Sequence, residues 1–555
     1  MSTTKARRKA KKQVCRTKRV KAKSGRTVKK RVCTPAKKKA PAKRPKAPAK
    51  RPAAPKVPGL PTLPPSIVVP GLPPVALPPV VLPPPLGGGP GPGPAPDPGP
   101  NPNPGPVPDP PAGVARYTGP FGVRQAERLL WRAGFGPLRG QAAQYAALGL
   151  DGAVAALTRV TGAAKLVGPA PRTELSEPID PARFPYDHIV WLDRMVRSDQ
   201  PFVERLALLF HDWFGVSDEQ VGSWPLMRDH VELFRRLGRG SFRDLMLAVT
   251  GDGAMLVRLD GDDNVEGRPN ENYARELMEL YALGPDRGAY TERDVREAAR
   301  GLTGYVSSYH PQRGYEDFRY DPTRHDDGTK RLFDTDDDHT PADVVDACLR
   351  HPLHPSFFVL KLWSTFVATP PSAVQRVALE RLYVDGDLAV LPVIEAILKH
   401  PDLYEGPALV KPPAVYAAGM MRATGRGIET IGWPEVGRQA GQRLFQPPNI
   451  AGWREDRWLD TATWRARWQM AFFALNRHEL GADPSYPAVE SPQYAVAMAL
   501  RHWDDPPVRD DTVAVLVDVA TRMGRLVGTS DAERNALRQD VLRHLVITAP
   551  DCQVC

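Results

Sequence analysis

The sequence predicts a mostly α protein: a single large all-helical body with long loops, preceded by a disordered basic tail and a Pro/Gly-rich linker. Three observations carry this. Apolar residues recur at helical spacing in segment after segment, as in the stripe Phe202, Leu206, Leu209, Phe210 and Trp213. Strand-like alternation is scarce. The composition shifts twice, near residue 56 and near residue 113, which marks a tail (1–56), a linker (57–113) and a body (114–555).

The tail is defined by charge. Residues 1–56 hold 24 Lys and Arg and no Asp or Glu. The whole chain holds 75 basic and 63 acidic residues, a net +12, so everything after the tail carries 51 against 63, or −12. A block of this composition buries too little apolar surface to fold alone. It suits attraction to a polyanion, whether nucleic acid, an acidic cell-wall polymer or anionic lipid; the plainer reading is a solubilising end. The tail has no aromatic residue for base stacking, which argues against a dedicated single-strand binder. Cys15 and Cys33 lie symmetrically about Ser24-Gly25 with valines around them, so a hairpin turning at 23–25 would set the two sulfurs opposite each other. Two free thiols in the native protein would remove a disulfide there.

In the linker, frequent proline removes backbone donors and favours polyproline II, and the GGGPGPGP portion is looser. A spacer is the simplest role, and a ligand for a proline-recognition module is the alternative. Five cysteines in 555 residues are too few for a disulfide scaffold. No run of 18 apolar residues suggests a transmembrane helix, and the first 30 residues lack the apolar core of a signal peptide, so the sequence by itself points to the cytoplasm.

Within the body, helices are expected near 125–134, 141–160, 202–214, 231–237, 242–256, 341–349, 355–367, 391–398 and 410–424, and again over the last 60 residues. His211 projects about 160° from the apolar stripe of its helix, so it is either a surface side chain or one aimed at a second, polar contact. Asp260, Asp262, Asn264 and Glu271 fit a calcium loop in spacing, but Val265 stands where its sharp turn needs glycine, so a polar loop feeding a helix is the better reading. Residues 305–340 read as loop. The terminal Cys552-x-x-Cys555 is open to zinc, redox or disulfide roles.

The centre of the sequence is 270–304, read as two helices. Asn270 caps the first and Glu271 suits its positive end. Asn272, Arg275, Glu276 and Glu279 share one stripe, with Tyr273, Leu277, Leu280 and Tyr281 opposite. Thr291 and Asp294 make a capping box for the second helix, which runs to about Gly304. The polar stripe is either a solvated face of Arg–Glu pairs or the wall of a buried polar site, where burial would demand partners.

Taken together, RLLWRAGFGP (128–137), ERLALLFHDWF (204–214), FRDLMLAVTGDGAML (242–256), RPNENYARELMELYALG (268–284), YTERDVREAARGLTGY (290–305), HDDGTK (325–330) and FQPPNIAGW (445–453) resemble the bacterial DUF1800 family, a family without an established activity. The resemblance covers about 120–555 and implies a mostly helical structure. It also implies export or association with the envelope, often alongside a second family related to sulfatases and phosphatases. Leu237 stands where that family commonly has a histidine.

His211, Asn270, Glu271, Asn272, Arg275, Glu276, His325, Asp326 and Lys330 lie on these motifs. Histidine and carboxylates suit a divalent metal, so His325, Asp326 and His211 are candidate metal ligands. His325, Asp326, Glu271 and Glu276 are candidate catalytic groups. Asn270, Asn272 and Arg275, by a helix N-terminus, and separately Lys330 are candidate anion-binding groups. The alternative is a buried network that locks 305–340 onto the helix pair. Asn449 and Trp453 suit a turn with an anchored aromatic. Two functions follow. One is a scaffold or assembly factor held to a polyanion by its tail. The other is a metal-assisted hydrolase acting on an envelope or anionic polymeric substrate.

Overall fold

The computed structural model describes the backbone of 13–21 and 27–35, and residues 108–181, 186–475, 490–525 and 530–555. By contacts the chain divides into Met1–Gly59 and Leu60–Cys555. In the first unit the strands Gln13–Lys21 and Thr27–Pro35 pair antiparallel in a register that sets Cys15 opposite Cys33, as the hairpin reading requires. The remainder of 1–56 and residues 57–107, with the expectations of a disordered tail and a linker, lie outside the described residues.

The second unit is organised around the helix Pro201–Phe214, in which Asp212 is the one residue not buried. Proline at its first position and left-handed Gly215 after its end (φ 55°) set its length. One face stacks on the helix Trp224–Leu237, with Phe214 and Phe234 rings 5.6 Å apart and nearly parallel. Trp213 packs against Phe242 and Phe358. Buried Glu204 in the first turn is met by Arg194 at 2.8 Å and Arg235 at 2.9 Å.

The central helix pair forms, with one change. Asn270 caps the α-helix Glu271–Glu276, and its side chain accepts from Asn272 N at 3.0 Å. The chain then widens into a π-helical turn, Leu277–Ala282, whose Leu283 N donates five residues back to Met278 O at 3.0 Å. Trp213 Nε1 donates to Leu280 O at 3.2 Å, and Tyr281 Oη reaches back to Phe214 O at 3.1 Å. The wide turn thus places a carbonyl and a hydroxyl on the central helix. Thr291 and Asp294 form the expected capping box of Glu292–Gly301.

Three expectations are corrected. The helix expected over 141–160 is two, Gln141–Ala147 and Gly149–Thr158, broken at left-handed Gly149 (φ 66°). The one expected over 242–256 is Phe242–Thr250 and Gly253–Arg258, separated by Asp252, which caps the second through Met255 N. Residues 305–340 are not all loop. They hold the hairpins Tyr305–His310 with Gly314–Tyr320, bulged between Val306 and Ser308, and Lys330–Leu332 with Thr335–Asp337. These strands are short and mostly polar, so they lack the apolar alternation that would announce them.

The remaining described chain is helical, from Pro341–Arg350 to Asp531–Thr548, whose Ser530–Glu533 capping box is present. The chain joins the body at Pro108, whose carbonyl accepts from buried Lys399 Nζ at 2.9 Å. Three of the largest fully buried side chains are arginines, each aimed at carbonyls. Arg132 serves Phe366 O and Cys555 O, Arg422 serves Gly136 O and Val196 O, and Arg467 serves Lys411 O and Trp458 O. Among the described residues no helix is long and apolar enough to cross a membrane, and Cys348, Cys552 and Cys555 are free thiols.

Candidate functional site

The motif residues are brought together largely as networks closed by their own neighbours. Asn270 Nδ2 donates to Asp260 O at 3.2 Å, its backbone N to Asn264 Oδ1 at 2.8 Å, and Asn272 Nδ2 to Asp260 Oδ2 at 3.2 Å. The 260–271 segment is therefore the polar loop that feeds the helix. Arg275 is forked between Glu292 (2.8 and 2.9 Å) and Glu271 (3.0 Å), which raises its already high pKa. Glu276 is half-buried; burial first and then Glu279 raise its pKa, against Arg258 and Arg275.

The HDDGTK stretch is fastened in the same way. Asp326 makes a two-pronged pair with Arg300 at 2.8 and 2.9 Å and accepts from Gly328 N at 3.0 Å, and the Arg300 bond is the main reason its pKa falls. Lys330 is fully buried; burial lowers its pKa, and its Nζ donates to Asp338 O at 2.6 Å. His325 Nδ1 lies 3.0 Å from Thr303 O, while its Nε2 is buried and has no partner. These contacts tie the 305–340 segment to the helix Glu292–Gly301.

His211 is not a surface side chain. It is completely buried, enclosed by the rings of Trp191, Phe445, Trp453 and His230 at 5.2 to 5.9 Å. Neither ring nitrogen has a partner, and burial holds it neutral. The face it occupies points away from the expected core, but the 445–453 segment covers that face. Among the described residues no three His, Cys, Asp or Glu stand together so as to hold a metal ion. His211 and the His325–Asp326 pair therefore do not assemble as one set of ligands.

Around His211 lies a polar cluster that the motif reading missed. His230 is fully buried with Nδ1 2.8 Å from Asp252 Oδ2 and its Nε2 unpartnered. His188 is buried, with Nε2 3.7 Å from Asp218 Oδ2 and facing the Arg443 guanidinium at 3.4 Å; burial pushes its pKa down to about 3. No well-aligned hydrogen bond reaches either Asp218 oxygen, and burial pushes this carboxyl up to about 7. Spacing could not have shown this, because 188, 211, 218, 230 and 443 come from separate segments.

The FQPPNIAGW segment closes over the cluster. Asn449 Oδ1 accepts from Ala451 N at 2.8 Å, and Trp453 is buried, so the turn with an anchored aromatic is present. Trp453 N donates to Asp212 Oδ1 at 2.6 Å. Asp212 also lines a small cavity of about 60 Å³ with Arg205 and Glu455. Burial raises its pKa from 3.8 to about 6. A carboxyl raised on folding contributes stability that is fully present below 3.8 and is lost as pH rises through about 6. Asp212→Asn keeps an acceptor for Trp453 N and removes the charge. The variant is expected to exceed the parent by roughly 2 kcal/mol at pH 8 and to match it near pH 4, read from urea midpoints across pH. That figure is discounted for partial exposure. Equal stability at pH 8 would dismiss this account of Asp212.

Between this segment and the short helix Asp218–Val221 opens a wider cleft of about 360 Å³, lined by Arg438, Arg443, Arg454, Arg457, Gln446 and Trp453 among others.

No curated protein and no solved structure matches the chain. The model of a family described as a protein of unknown function (DUF1800) matches residues 128–554, and the chain belongs to that family.

Proposed function

We propose that the protein is a non-catalytic scaffold or assembly factor whose basic N-terminal segment engages a polyanion. The observation that carries this is the segregation of charge, +24 over residues 1–56 against −12 over the rest. A local block of this density binds phosphate or carboxylate polymers through counterion release, whereas the acidic remainder repels them. The body supports the same reading. Asn270, Asn272, Glu271, Arg275, Asp326 and Lys330 each spend their polar atoms on partners inside the protein, as parts of a rigid body do.

The test is binding of the full chain to a nucleic-acid duplex and to an anionic vesicle over a salt series. The logarithm of affinity should fall linearly with the logarithm of salt, with a slope of about −0.9 per duplex phosphate engaged. A full-length variant with the 24 basic residues of 1–56 changed to glutamine should lose the binding. Binding that survives neutralisation would sink the proposal.

A second reading, a metal-assisted hydrolase acting on an envelope or anionic polymeric substrate, is favoured by one atom. His325 Nε2 is buried and unpartnered, as the His211 nitrogens are, but it alone of these stands beside a motif carboxylate, Asp326, whose pKa Arg300 holds down. In that reading His325 and Asp326 hold a divalent metal, and Glu271 and Glu276 handle protons. One metal per chain by elemental analysis, absent from a folded His325→Ala variant, would support it; no metal in either would remove it.

A further inference from the structure

The geometry points to the cleft between the 445–457 segment and the helix Asp218–Val221 as a binding site for a small molecule carrying a phosphate or pyrophosphate group, anchored on Arg443. This site is independent of the tail and of the candidate metal, catalytic and anion-binding residues named above, although the FQPPNIAGW motif forms one of its walls.

The cleft gathers one kind of cation. Four guanidinium groups from the 438–457 segment border one cleft of about 360 Å³, and the lining contains a single carboxylate, Glu219. The body as a whole is acidic, so a four-arginine lining runs against its average charge. Cavities of a few hundred to about 1,000 Å³ are the size that encloses a metabolite-sized ligand. Guanidinium offers a planar fork of donors that matches two phosphate oxygens at once, which ammonium cannot do.

These arginines are held in two different ways. Arg438, Arg454 and Arg457 are each tethered by a carboxylate two or three residues away: Glu435 at 2.5 Å, Asp456 at 2.7 Å and Asp460 at 3.4 Å. Those pairs are solvent-exposed, so each contributes little and gives way to a stronger anion without a large penalty. Arg443 differs. No carboxylate pairs with it among the described residues. Its Nε faces the neutral His188 ring, which holds the guanidinium in place without neutralising it. An oriented cation with no carboxylate in direct contact, felt only at longer range by Asp218 and Glu435, is an arrangement that an anionic ligand completes. Gln446 and Ser217 add neutral hydrogen-bonding groups to the same wall.

The test is calorimetric titration of the full chain with inorganic phosphate and with pyrophosphate. Three full-length proteins are compared: the parent, Arg443→Gln, and the variant with 24 glutamines in 1–56. The expected result is saturable binding of one ligand per chain. It should weaken at least tenfold in Arg443→Gln and stay unchanged in the tail variant. Arg454→Gln, at the exposed rim, should weaken it by a few-fold and serves as the reporter if Arg443→Gln does not fold. Loss of binding in the tail variant would assign the signal to the tail and overturn the proposal. So would binding that is indifferent to both arginine changes, or no binding to the parent. Failure of the tail to hold a polyanion leaves this result untouched, so the two proposals fail separately.

Discussion

Gly215→Ala is expected to cost about 4 kcal/mol or more, at the extreme of single substitutions. Gly425→Ala is expected to cost only about 1 kcal/mol. Both glycines follow helix ends and hold left-handed backbones, φ 55° and 68°. The backbone penalty for an L-residue there is of order 1–2 kcal/mol in each case. They differ in what a methyl group would meet. At Gly425 there is nothing within 4 Å, whereas at Gly215 the new carbon would lie 2.2 Å from the carbonyl oxygen of Ile450 and 2.8 Å from its Cα. Backbone cannot rotate aside as a side chain can, so the 445–453 segment must move, taking Trp453 and the cover of His211 with it. Urea midpoints of the two variants read the difference directly. Similar losses in both would mean that the segment yields easily and that the interlock has been overestimated.

Glu490→Ala is expected to cost about 3–5 kcal/mol. The Glu490 carboxylate and the Arg538 guanidinium are both almost fully buried; Arg538 Nε donates at 2.9 Å and Gln539 Nε2 at 2.8 Å. Removing the acid strands a buried cation with no route to water. Replacing both partners together, Glu490→Leu with Arg538→Met, should cost far less than Glu490→Ala, because two charges then leave the interior at once. The comparison is made by thermal and urea unfolding of the full chain. A double variant as unstable as the single one would show that the site is sensitive to shape and not to charge.

Much of this was legible because it is local. Capping residues act within one turn, so Asn270 and Thr291 could be placed from sequence. Arg–Glu pairing on the first helix was legible as a possibility, but the acid that Arg275 meets on its own helix is Glu271 and not the stripe's Glu276 or Glu279. The second partner of Arg275, Glu292, was not legible, since that contact depends on how two helices are folded back on each other. His211 shows the limit most clearly. A helical wheel tells which face reaches a core first, but the opposite face is closed by residues more than 230 positions later, and no periodicity carries that information. The π-helical turn was hidden likewise, because the Trp213 donor that meets its carbonyl lies 67 residues upstream. The cleft and the histidine cluster were illegible as a whole, being assembled from segments with no shared spacing.

The arginines of the first body helix, Val123–Arg132, set a condition on when the protein can finish folding. Arg128 spends its donors on the carbonyls of Tyr404, Gly406 and Pro407, some 276 to 279 residues ahead, and Arg132 reaches Phe366 and Cys555, 234 and 423 residues ahead. During synthesis that helix emerges early, with charged groups meant for an interior that does not yet exist. It must wait in water for nearly the whole chain. Helical proteins usually fold fast because their contacts are close in sequence. Here closure is a late, long-range event, so refolding should be slow for an all-helical body and should depend on the C-terminal segment being present.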